Sequence, residues 1–170
     1  MNVPIEDCKA APELLAWLDE RSAGFARWAE ETGTPQRWDF SPESLDALED
    51  LVREVFADEE EVLAAKGSPF VHGATWYIGE VIRRSGERVA WGYDPTPPTR
   101  HKPSAFFDPG TRTVIDTPFV GQPGSVDGEW LYPMGALNEL YCTMDEWDDP
   151  IEWHLRHVLG NDDEDDEDEE

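Results

Sequence analysis

The stretch SPFVHGATWYIGEVIRRSGERVAWGY, residues Ser68 to Tyr93, holds the change of period that decides the fold. Between Phe70 and Arg84 the apolar positions are Phe70, Ala74, Tyr77, Ile78, Val81 and Ile82. They cover much of a helix circumference, which predicts a central helix, and Gly73 and Gly79 leave low spots where a neighbour can approach closely. Beyond Gly86 the period becomes two: Val89, Trp91 and Tyr93 point one way and Ala90 and Gly92 the other, as in a half-buried strand.

Upstream, Pro12 to Glu31 repeats Leu14, Leu15, Leu18, Phe25, Trp28 and Ala29 at helical spacing, with Pro12 suited to a first helical position and Gly33 beyond the end. Trp38-Asp39-Phe40 is a short extended approach to a second helix. There Ser41 can accept a hydrogen bond from an orphan backbone amide and Pro42 presets the first torsion. Leu45, Leu48, Leu51, Val52, Val55 and Phe56 form its apolar stripe, with Asp46, Glu49, Asp50, Arg53 and Glu54 outside it. A shorter helical piece runs from Asp58 to Lys66 and stops at Gly67-Ser68-Pro69.

Downstream, prolines at 95, 97, 98 and 103 make a loop. Ala105–Phe107 and Thr113–Ile115 flank the turn sequence Asp108-Pro109-Gly110-Thr111, which predicts a hairpin. After a second loop, Gly121 to Gly128, come a short helix around Met134 to Tyr141 and a last one from Pro150 to Leu159, entered through Asp149 as N-cap. The expected fold is α+β: a helical N-terminal half packed on a small antiparallel sheet of about three strands, followed by short C-terminal helices. Residues 1–160 read as one domain, which suits a 170-residue chain that can bury roughly two-thirds of its unfolded surface. Residues 161–170 read as a disordered acidic tail.

Charge narrows the function classes. Lys and Arg number 13 against 39 Asp and Glu, a net of -26. Asn161 to Glu170 hold nine of those acids, so 30 acidic and 13 basic residues remain, a net of -17 on the first 160 positions. Nucleic acid and anionic bilayers, which demand positive charge, are poor partners for such a surface. Six cations, Arg83, Arg84, Arg88, Arg100, Lys102 and Arg112, fall in one strip and are expected to pair with the acidic surface around them. No apolar run approaches a membrane span, and Met1 to Ala10 lacks the pattern of a signal peptide. Cys8 and Cys142 lie far apart, without paired spacing, which suits a reducing compartment. The expected location is cytoplasmic.

No catalytic motif stands out. His154 and His157 are three apart and Cys142, Asp148 and Asp149 are near in sequence, but neither HExxH nor paired Cys spacing occurs, so no metal ligand is assigned. Ser22, Ser68, Ser85 and Ser125 lack a GxSxG context, and no phosphate-binding loop follows Gly121-Gln-Pro-Gly124. Glu80 and Arg84, at i and i+4 with the acid first, read as an ion pair on the helix rim. A pocket between the central helix and the Trp91 strand, lined by His72, Glu80, Arg84 or Trp91, is the place where an enzyme or ligand-binding domain would do its work. Met144-Asp145-Glu146-Trp147-Asp148-Asp149 sets one large aromatic among four acids. A loop tryptophan commonly folds back on its own domain, but this composition also suits an interface anchor ringed by charge.

WDFSPESLDALE, 38–49, and WYIGEVIRR, 76–84, with Gly86 and Trp91 downstream, resemble small bacterial domains, common in actinobacteria, of the immunity type found in toxin systems or without assigned activity. The likeness covers about residues 38 to 120. Arg outnumbering Lys ten to three agrees with a high-GC bacterial origin. The resemblance implies no catalytic residues and no cofactor. Together with the charge it leads to an acidic, non-enzymatic protein-binding domain, most concretely an immunity-type inhibitor of a basic effector, possible toxin partners included, with Asp145, Glu146, Trp147, Asp148 and Asp149 as the contact segment. The alternatives are the pocket-bearing enzyme or ligand-binding domain and a DNA-mimicking regulator.

Overall fold

The structure, a computed structural model, describes residues 11–93, 118–122, 130–144 and 147–160. The predicted hairpin around Asp108, the tail, and Asp145 and Glu146 lie outside the described residues.

The elements in chain order are α1 (Pro12–Glu31), a 3-10 turn (Pro35–Arg37), α2 (Pro42–Val55), α3 (Glu59–Ala64), α4 (Pro69–Ser85), β1 (Ala90–Tyr93), β2 (Pro118–Gly121), α5 (Pro133–Glu139) and a second 3-10 turn (Leu155–Leu159). This is the expected α+β arrangement, with α4 at its centre. Every residue of α4 from Gly73 to Ile82 is buried. Helices α1, α2 and α5, the sheet and the last 3-10 turn all pack around it. Its two low spots are each occupied by one indole, Trp28 at Gly73 and Trp91 at Gly79.

Helix starts follow local chemistry. Ser68 and Asp58 cap α4 and α3 by accepting the Val71 and Glu61 amides. Ser41 accepts the Ser44 amide at 3.3 Å and itself donates to Asp39 Oδ1 at 2.6 Å. That hydroxyl, with the Ser41 amide, holds the Asp39 carboxyl below its ordinary pKa. The Ser44 hydroxyl accepts from the buried Tyr77 at 2.7 Å, which ties this helix start to α4. Ser41→Ala should therefore cost about 1 kcal/mol in urea-induced unfolding. A loss near zero would mean that the cap contributes nothing.

The described residues form two antiparallel strands, in register from Ala90 opposite Gly121 to Tyr93 opposite Pro118. Val120 also forms a single bridge with Leu131. The strands expected at 105–107 and 113–115 lie outside the described residues.

The C-terminal segment differs from expectation. The helix expected from Pro150 to Leu159, with Asp149 as N-cap, is replaced by non-helical backbone to His154 and then the 3-10 turn, whose N-cap is His154. Tertiary partners hold the backbone here: Ile151 N donates to Thr143 O at 3.0 Å, Arg53 Nη2 donates to Trp153 O at 3.1 Å, and Leu155 N donates to Glu49 Oε2 at 3.0 Å, the last two engaging groups that the helix would have paired within itself. Glu49, expected on the solvent side of α2, is accordingly buried at 7% exposure. It also contacts Arg53 at 3.1 Å and His154 Nδ1 at 2.9 Å.

Candidate functional site

Of the residues expected to line a pocket behind the central helix, Glu80, Arg84 and Trp91 are joined by hydrogen bonds, and His72 lies apart from them. Glu80 is buried, 6% exposed, and does not lie on the helix rim. Its Oε2 accepts from Arg83 Nη2 at 2.6 Å and Arg84 Nε at 3.1 Å, and its Oε1 accepts from Trp91 Nε1 at 3.1 Å. Burial alone would raise its pKa, but the hydrogen bonds from Arg83 and Trp91, the Arg83 charge and the Arg84 bond outweigh it and hold the carboxyl below the ordinary range. A carboxylate held this way stays ionised and has its lone pairs engaged, so it is unsuited to proton transfer near neutrality.

Arg84 keeps its expected pairing with Glu80, and its guanidinium also lies 3.6 Å from the centre of the Phe40 ring. His72 sits at the other end of α4, where its Nδ1 accepts from Trp17 Nε1 at 3.0 Å. Trp17 meets Trp91 edge-on at 5.6 Å, so aromatic rings occupy the space between His72 and Glu80. A cleft of about 380 Å³ does lie between the end of α4 and the sheet. Its described lining, which includes Ile82, Val89, Val120, Leu131 and Val158, has no ionisable side chain and none of the four expected residues.

The other reactive groups are likewise engaged or subdued. Burial, and then the charges of Glu59 and Glu139, raise the pKa of the Cys142 thiol, which works against a nucleophilic thiolate. His157 Nδ1 accepts the His154 amide at 3.1 Å, and the His157 ring packs edge-on against Trp153. Among the described residues no three His, Cys, Asp or Glu side chains are grouped to hold a metal ion.

The acidic segment has a different character. Met144 pairs with Pro150 in an antiparallel bridge, and the bond from Ile151 to Thr143 closes the base of a small hairpin. Trp147 lies in its turn and is 73% exposed. Met144, at 54%, and Ile151, at 38%, add exposed apolar surface at the base. Asp148, with a left-handed φ of 62°, and Asp149 are exposed beside Trp147.

The sequence pattern places Ile151 on a helix and so misses its place opposite Thr143. Of the contact segment, Trp147, Asp148 and Asp149 are together on the surface.

No family model, curated protein or solved structure matches this chain. No helix among the described residues is long and apolar enough to cross a membrane.

Proposed function

We propose that this chain is an acidic protein-binding domain without catalytic machinery, most concretely an immunity-type inhibitor that acts in the cytoplasm by covering a basic effector protein. The observation that carries this reading is Trp147, 73% exposed in the turn of a hairpin that also exposes Met144, Ile151, Asp148 and Asp149. Exposed apolar side chains grouped within one small hairpin suit an interaction surface, and aromatic anchors dominate protein interfaces. The net charge of -26 supports a cationic partner. Its field would raise the rate of encounter, and the anchor would then set the lifetime of the complex.

The two contributions are separable. Affinity capture from a lysate of the native host should retain a basic protein on the wild-type chain and much less of it on Trp147→Ala. With that partner purified, Trp147→Ala should raise the dissociation rate at least about tenfold and leave the association rate within about twofold. Added salt should slow association, because charges beyond roughly 10 Å are screened at 0.1 M. Equal retention on both columns, or a captured partner that is acidic, would refute the reading.

A further inference from the structure

Two guanidinium groups at the C-terminal end of α4 share one carboxylate. Arg83 gives Glu80 Oε2 its Nε at 3.1 Å and its Nη2 at 2.6 Å, while Arg84 gives the same oxygen its Nε at 3.1 Å. A common acceptor draws the two cations together. Both side chains stay open to solvent, Arg83 at 40% exposure and Arg84 at 45%, over a carboxylate that is 8% exposed. Glu80 balances one of the two charges, and neither arginine has a second ion pair among the described residues.

Arg84 is fixed on another side as well, because its guanidinium lies 3.6 Å from the centre of the Phe40 ring. Phe40 has a backbone φ of 62°, a left-handed conformation that bulky side chains rarely adopt and that is retained mostly at functional sites. The Tyr77 hydroxyl accepts the Phe40 amide at 2.9 Å, and the two rings stack at 5.0 Å. With Nε committed to Glu80 and the guanidinium set on Phe40, the terminal nitrogens of Arg84 keep no partner among the described residues, and neither does Arg83 Nη1.

We propose that Arg83 and Arg84 bind a phosphate group, carried as the free ion or as the monoester of a small soluble molecule. The terminal edge of Arg84 takes two phosphate oxygens as a fork, and Arg83 Nη1 takes a third. A planar carboxylate has no third oxygen to offer. Cations already held by Glu80 and Phe40 lose little freedom on binding, which supports affinity at a site open to water. This site is on different elements from the Trp147 hairpin and stands or falls independently of it.

Inorganic phosphate is the probe, titrated into the wild-type chain at low ionic strength and followed by the Nε–H resonances of the arginines. Saturation is expected below about 10 mM, with the largest shifts at Arg83 and Arg84 and with acetate at least about fivefold weaker. Methyl phosphate separates the two sources: equal affinity assigns a monoester, and binding of the free ion alone assigns the ion. Arg84→Gln should weaken phosphate at least about fivefold, and Arg84→Lys, which keeps the charge without the fork, by a similar factor. Arg27→Gln, which removes a cation 84% exposed on α1, should change the affinity by less than about twofold. The proposal is overturned if phosphate fails to saturate the wild-type chain, if the largest shifts fall elsewhere, if acetate binds equally well, or if a folded Arg84→Gln or Arg84→Lys chain binds like wild type.

Discussion

Gly79→Ala is expected to lower the unfolding free energy by about 3 kcal/mol or more, whereas Gly24→Ala should raise it by about 0.5 to 1 kcal/mol, although both glycines are inside helices. Helix propensity alone would predict a gain at both positions. At Gly79 the far edge of the Trp91 indole occupies the place of a Cβ. Trp91 is 5% exposed and cannot yield without moving β1 or losing its bond to Glu80. Overpacking costs about 1 to 3 kcal/mol, and the broken hydrogen bond to a charged group adds about 1.5 to 3 kcal/mol. At Gly24 there is only open space. Urea unfolding of the two variants beside wild type measures the contrast. A Gly79→Ala chain within 1 kcal/mol of wild type, an interval set by the usual scatter of point mutants, would mean that the indole does not seat on the helix as described.

Glu80→Gln should cost about 2 to 3 kcal/mol at pH 7, because a neutral amide replaces a buried carboxylate that serves two guanidinium groups and the Trp91 N–H. A rim ion pair of the kind expected from the i, i+4 spacing would be worth only about 0.3 to 0.5 kcal/mol. The pH dependence separates the two cases. The folded Glu80 pKa lies below its ordinary value, so its stabilisation is fully present above the pKa of the unfolded chain and is lost as pH falls through the lower folded value. The gap between wild type and Glu80→Gln should therefore be constant from pH 7 to about 5 and narrow below about pH 4. A gap that widens in acid would show that the carboxyl is instead held protonated.

The helices α1, α2 and α4 were legible because their information is local. Pro12, Pro42 and the spacing of Leu45, Leu48 and Val52 act within a few turns of the same segment. The Gly73 and Gly79 low spots were legible for the same reason, although which rings would seat in them was not, since Trp28 and Trp91 come from other elements. Of the candidate site, composition marked Trp147 and its acids, but the exposure of Trp147 depends on a bridge between Met144 and Pro150 and a bond between Ile151 and Thr143.

The amino-acid sequence by itself thus determined the long helices, the switch from helix to strand after Gly86 and the strongly anionic character of the chain, all set by propensity, periodicity and net charge over short spans. Only the tertiary structure decided the state of its charged groups. Glu80 and Glu49 resemble any surface acids on an amphipathic helix, yet each is buried because residues that lie far away in the chain, or beyond a turn, donate to it: Trp91 to Glu80, and the Leu155 amide to Glu49. The same long-range donors and acceptors drew residues 151–154 out of the expected helix. A buried carboxylate takes its energy from the donors around it, and those are chosen by packing.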